Sequence, residues 1–218
     1  MSNFIEVTYD KYFTLVSALS ALKELPYQVS LDFETQSLYN KEEKAEAKKF
    51  LKEEELDRET EKFCKVVANS SGLSYPSITK ITHMSIAWSD KDALVVVIPD
   101  MRTEMAILNW IVSSNHHFII HNSLFDLKQV YVKTGKLPKK YDDSQLLAKS
   151  FINHSNIWKA NVGLKELMSQ YYDPKWCGID GYDDTDLKKE SFLKYAAIDA
   201  CATYLLWTQL QEEIEEKK

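Results

Sequence analysis

The chain has 218 residues, of which 44% are hydrophobic and 28% charged, proportions that fit one soluble globular domain and exclude a disordered or low-complexity chain. Its net charge of -6, with Arg58 and Arg102 as its two arginines, argues against a protein that grips long nucleic acid through a basic patch, though not against an enzyme that holds a strand end. No apolar run approaches a membrane span, the first residues lack a signal peptide's basic and apolar regions, and Cys64, Cys177 and Cys201 have no CxxC spacing. These features predict no membrane contact and a reduced, cytoplasmic setting.

Taken in order, residues 4–7 read as a short strand, and Thr8 or Asp10 as the cap of an amphipathic helix reaching about Leu25 before Pro26. Residues 27–34 form the next predicted strand. Residues 41–67 are rich in Lys and Glu with spaced apolar positions, so one or two exposed helices are expected there, inside a charged segment spanning 41–75. A hairpin follows, with strands at 78–88 and 93–98 around the turn Ser89-Asp90-Lys91-Asp92. A helix over 103–113, a strand over 118–121 and a helix over 124–134 closed by Gly135 come next. Asp143 or Ser144 caps a helix to Phe151, residues 163–172 are helical, and 173–186 form an irregular loop. A last helix runs from about Leu187. Strands alternating with helices after a meander predict an α/β class: a mixed β-sheet flanked by helices, with a charged helical insertion in a single domain over 1–218.

Three separated acidic settings carry the chemistry. Asp32 and Glu34 lie two apart on a predicted strand and so share one face. Buried together, they repel unless a cation neutralises them, and oxygen-only ligands favour magnesium or manganese over zinc. Asp126 follows Asn122 by four residues, and Asp199 follows Tyr195 by four. Each pair alone reads as ordinary structure: a DxE at a solvated strand end, a helix start, a surface i,i+4 pair. In this order, each flanked by an apolar strand or helix, they read as one site. His121 reads as a strand-end packing residue, and Trp158, Trp176 and Trp207 as packing residues.

These residues resemble the DnaQ-like, or DEDD, 3′-to-5′ exonucleases of ribonuclease H-like fold, most closely the proofreading exonuclease domain of family A DNA polymerases. Asp32-Phe33-Glu34-Thr35-Gln36-Ser37-Leu38 is similar to the first motif, DxET with a leucine three residues on. His121-Asn122-Ser123-Leu124-Phe125-Asp126 is similar to the second, and Tyr195-Ala196-Ala197-Ile198-Asp199-Ala200-Cys201-Ala202-Thr203 to the third, in the form YAAxDAxxT. Lys194 stands where a sister subfamily has its histidine, so the resemblance is to the tyrosine-bearing, DEDDy type.

The resemblance implies catalytic roles for Asp32, Glu34, Asp126, Tyr195 and Asp199, with two divalent ions, Mg²⁺ or Mn²⁺, held by the four acids. It implies that Thr35 and Asn122 contact the terminal nucleotides, that Leu38 wedges between the last two bases, and that the product is a 5′-nucleotide. The expected partner is a frayed or single-stranded DNA 3′ end, with a DNA polymerase as companion subunit or parent chain. An RNA-trimming exonuclease of ribonuclease D type shares this chemistry. A degenerate docking module is disfavoured, because all four acids are present.

Overall fold

The structure, a computed structural model, describes residues 7–68, 76–154, 162–171 and 190–216. The readings of residues 4–6, the 173–186 loop, Trp158, Trp176 and Cys177 lie outside that set. Six strands alternate with helices: β1 (Thr8–Tyr12), α1 (Leu15–Lys23), β2 (Gln28–Ser37), α2 (Lys41–Glu53), α3 (Arg58–Ala68), a 3₁₀ turn (Pro76–Ile78), β3 (Thr79–Ala87), β4 (Asp92–Val97), α4 (Met101–Ser113), β5 (His117–Ile120), α5 (Ser123–Thr134), β6 (Lys140–Asp143), α6 (Ser144–His154), α7 (Leu164–Tyr171) and α8 (Glu190–Glu216).

They build one mixed sheet in the order β1-β4-β3-β2-β5-β6. The β2-β3-β4 meander is antiparallel, while β1 joins β4, β5 joins β2 and β6 joins β5, all in parallel. The expected α/β class with a mixed sheet is therefore present.

Alternation along β2 divides its side chains between two layers. Val29, Leu31 and Phe33 enter a core with Ala18 and Leu22 of α1, Ile107, Leu108 and Ile111 of α4, and Leu127 and Val130 of α5. Leu31 is fully buried, so Leu31→Ala would cost about 2–5 kcal/mol. Ser30, on the opposite face, donates from its hydroxyl to the Ala200 carbonyl of α8 at 2.8 Å. There α8 lays Ala196, Ala197, Ala200 and Cys201 against Ala87, Ala93, Val95 and Val97. Small residues on both sides of this seam let the helix backbone approach the sheet closely. A neighbouring cluster joins Ile198, Ala202, Leu206 and Leu210 of α8 to Leu167 and Met168 of α7 and Ala148 of α6.

A buried polar knot ties the first layer together. Glu104 of α4 accepts from the Ile81 amide at 3.1 Å and pairs with Lys133 of α5, whose ammonium also donates to the Thr79 carbonyl at 3.0 Å.

The structure departs from the sequence reading in four places. Thr8 and Asp10 lie in β1, and α1 begins at Leu15 behind Thr14, whose hydroxyl accepts from the Ser17 amide at 3.3 Å. The outer edge of β4 takes this polar strand, and Tyr9 and Lys11 both hold Glu190 at the start of α8. Strand β2 continues three residues past Glu34, because β3 keeps pairing with it beyond a bulge. Strand β6, polar and four residues long, was not anticipated at all. Asn122 has a left-handed backbone (φ 59°) and makes no side-chain cap to α5. Residues 41–68 form the expected charged helices as a pair, α2 opened by an Asn40/Glu43 capping box and α3 by Asp57.

Candidate active site

The site forms where β5 stops. Only Gln28, Val29 and Ser30 of β2 pair with β5, so the backbone of β2 beyond them loses its neighbour on that side. An amide left without a partner in such a place is costly. Asp126 supplies the partner: its Oδ1 accepts from the Phe33 N–H at 3.1 Å. A buried carboxylate (2% exposed) from the first turn of α5 is thereby fixed between Asp32 and Glu34. The turn from β5 into α5 is held from behind, since Asp143 accepts from the Ser123 amide at 2.8 Å.

Asp32 and Glu34 point to the α8 face, as their spacing predicts, and are half-buried. Helix α8 brings Asp199 and Tyr195, one turn apart, over the same end of the strand, and the Tyr195 hydroxyl donates to Asp199. Opposite Glu34 and Thr35, the extra residue of the bulge is Thr82 of β3, whose hydroxyl donates to the Glu34 carbonyl at 3.1 Å. Bulges commonly re-aim side chains beside functional sites, and this one falls between Glu34 and Thr35.

Crowding these acids raises their affinity for protons. Burial, reinforced by the charge of Asp199, pushes the Asp32 carboxyl up to about 7. Asp199 rises to about 6 through burial, with the Tyr195 hydrogen bond and the Lys165 ammonium pulling the other way. Glu34 and Asp126 are held well above the carboxylate range, chiefly by burial and then by Asp32. Tyr195 is pushed up from 10 by burial and by the negative charge of Asp199 and Glu34, so its phenol stays protonated at neutral pH.

An oxygen-only set of mutually repelling carboxylates fits a hard divalent cation in its chemistry. In arrangement the set is open: among the described residues, no three His, Cys, Asp or Glu side chains are grouped so as to hold an ion as they stand.

Five predicted residues thus meet: Asp32, Glu34, Asp126, Tyr195 and Asp199. Thr35 sits beside them with a buried hydroxyl that has no hydrogen-bond partner among the described residues. Leu38 (56% exposed) and the exposed Asn122 stand on the surface, and none of the described contacts ties either to the carboxylates. Lys194 is exposed.

Two residues given no part by the sequence reading belong to this environment. The Lys165 ammonium lies 4.7 Å from the centre of the Tyr195 ring. His121, kept neutral by burial, links Ser144 (2.9 Å) with the Val162 carbonyl (3.0 Å) just before α7. Because a carbonyl can only accept, Nε2 carries the proton and Nδ1 accepts from Ser144. The available signal for Lys165 was a cation in the first turn of a predicted helix, where the helix dipole disfavours it.

A sequence model of the 3′-5′ exonuclease family matches residues 72–215, which include Asn122, Asp126, Tyr195 and Asp199 and begin after Asp32 and Glu34. The chain belongs to that 3′-5′ exonuclease family. No curated protein sequence matches it. Among solved structures, the exonuclease is similar to Brucella melitensis NrnC with bound Mg²⁺, at 17% identity over 97% of this chain and 83% of that one, with a TM-score of 0.57. NrnC bound to pGG gives the same TM-score. Escherichia coli RNase D, an exoribonuclease involved in structured RNA processing, matches at 16% identity over 96% of this chain and 46% of that one, with a TM-score of 0.54. Pol1 from M. smegmatis in complex with DNA primer-template and dNTP matches at 12% identity over 96% and 28%, with a TM-score of 0.53. At such identities the likeness establishes the fold, which is ribonuclease H-like.

Proposed function

We propose that this exonuclease is a metal-dependent hydrolase that removes single nucleotides from the 3′ end of DNA, in the manner of a proofreading activity. The carboxylate cluster, with Asp126 locked onto the Phe33 amide, is the observation that carries the reading. Water adds to the terminal phosphorus, the bond from phosphorus to the preceding 3′ oxygen breaks, and that oxygen takes a proton. A 5′-nucleotide leaves, and the shortened strand keeps a free 3′ hydroxyl. Divalent cations held by Asp32, Glu34, Asp126 and Asp199 would supply Lewis acidity for the attacking and leaving oxygens.

The protein's own groups then position the substrate. Tyr195, held as a neutral phenol, orients the attacking water together with Glu34 and does not itself remove a proton. The unpartnered Thr35 hydroxyl and the exposed Asn122 are suited to hydrogen-bond the terminal nucleotides. Exposed Leu38 can replace a stacking partner between the last two bases, which favours ends that melt easily.

The YAAxDAxxT form of the third motif leans toward DNA. A second reading, trimming of RNA 3′ ends, is supported equally by the likeness to RNase D and to NrnC bound to pGG. One assay addresses both readings. Single-stranded DNA and RNA, labelled so that loss of the 3′ nucleotide is seen, are incubated with Mg²⁺ or Mn²⁺ or with chelator. Shortening from the 3′ end that needs metal and vanishes in Asp126→Ala is expected, with DNA the faster substrate. Activity that survives chelation or that substitution overturns the metal-site reading, and faster cutting of RNA transfers the proposal to RNA.

A further inference from the structure

A lysine at the second position of α7 works against its own helix, since the N-terminal end of a helix dipole repels cations. Lys165 nevertheless occupies that place, half-buried, on a helix whose start is unusually well anchored. The Val162 carbonyl accepts from His121 at 3.0 Å and from Gln145 at 3.3 Å, while Leu164, Leu167 and Met168 pack on α8. His121 immediately precedes Asn122, so the segment that delivers Asp126 and the helix that delivers Lys165 share a fastening. From this base the ammonium reaches the face of the Tyr195 ring at 4.7 Å, well inside cation–π range. Phe192, three residues earlier on α8, has its ring 6.4 Å from that of Tyr195 and 4.8 Å from that of the buried His83. Tyr195 thus has an aromatic support within α8 and a cation supplied by α7.

We infer that Lys165 is a positioning residue, whose ammonium, held over the Tyr195 ring, fixes that ring and with it the place of the Tyr195 hydroxyl, beside Asp199, at the scissile phosphodiester. The inference rests on the exonuclease reading above and extends it to a residue outside the acidic motifs. Its charge has a second consequence: it offsets part of the negative field of Glu34 and Asp199, which a neutral side chain of the same length could not do. Arginine keeps both the charge and the stacking, whereas methionine keeps only the apolar stem.

The test is a kinetic cycle of wild type, Lys165→Met, Lys165→Arg, Tyr195→Phe and Lys165→Met/Tyr195→Phe on a 3′-labelled single strand at saturating Mn²⁺. Tyr195→Phe keeps the ring but has no hydroxyl to direct. Lys165→Met should lower kcat about tenfold, the effect of one modest oriented interaction, and leave KM within about twofold. Lys165→Arg should recover most of that loss. In the Tyr195→Phe background the same methionine substitution should change kcat less than about twofold, because the two residues act as one unit. Equal losses in both backgrounds, a loss confined to KM, or a methionine variant as fast as wild type would each overturn the inference. Circular-dichroism melting of each variant separates a folding defect from a positioning one. A wild-type protein without metal-dependent cleavage would instead sink the exonuclease reading itself.

Discussion

Helix α5 serves two buried acidic centres, and they are built on opposite plans. Asp126 and Lys133 lie seven residues apart, two turns on one face of the same helix. At Lys133 the acid Glu104 is answered by an ammonium and the Ile81 amide, and Lys133 is completed by the Thr79 carbonyl. At Asp126 four acids share the amides of Phe33 and Asp126, the Tyr195 phenol and the reach of Lys165. The chain therefore can neutralise a buried carboxylate when only structure is at stake. Leaving four together is a cost to the metal-free fold that makes sense where cations arrive from solution.

The sharpest way to break this contrast is to remove one charge from each centre while keeping the side chain's shape. Asp126→Asn keeps an oxygen that accepts from Phe33, so the backbone stays satisfied. Cleavage should fall on the order of 10²- to 10³-fold, while the metal-free melting temperature holds or rises. A loss of both activity and stability would show that Asp126 is a structural acid like Glu104. Lys133→Met should do the reverse. It strands Glu104 and should cost roughly 3–5 kcal/mol in denaturant unfolding, with cleavage per folded molecule unchanged. Methionine tolerated at no cost would mean that the knot contributes nothing.

The smallest effect is a slope with pH. The folded carboxyls of Asp32 and Asp199 bind protons up to about 7 and 6, against 3.8 for the ordinary group. Between about pH 4 and 7 the folded state therefore holds more protons than the unfolded one, and stability falls as pH rises through that window. Metal-free protein should melt several degrees higher at pH 5.5 than at pH 8, at about 2–4 °C for each kcal/mol. Saturating Mg²⁺ should flatten most of that slope. A melting temperature indifferent to pH, with and without Mg²⁺, would contradict the proposed repulsion.

Much of this could be read before folding because it was local. The 78–98 hairpin, α5 with Gly135 at its end and the α2–α3 pair announce themselves through alternation, turn residues and charge. Strand β1 did not, because Thr8-Tyr9-Asp10 has the chemistry of a helix cap and becomes a strand only through β4, some 84 residues away. The extension of β2 was hidden likewise: Thr35-Gln36-Ser37 is polar enough to end a strand, and only the ladder with β3 carries it on. In the site, the spacing of Asp32 and Glu34 fixes their shared face. Nothing in the sequence says that Asp126 caps an amide of β2 or that Lys165 covers Tyr195. Those are distances between elements, and they exist only once α5, α7 and α8 are docked.

The alanine seam of α8 also sets a tolerance. Tyr195 and Asp199 are four residues apart on a helix whose inward face is committed to the sheet through Ala196, Ala197 and Ala200. One residue inserted between them would swing Asp199 about 100° around the axis and advance it by about 1.5 Å. Either the acid would leave the strand end or the small residues would leave the seam. The third motif is thus a matter of angular phase as much as of chemistry, and lengthening it by a single residue is a harsher change than replacing any one of its side chains.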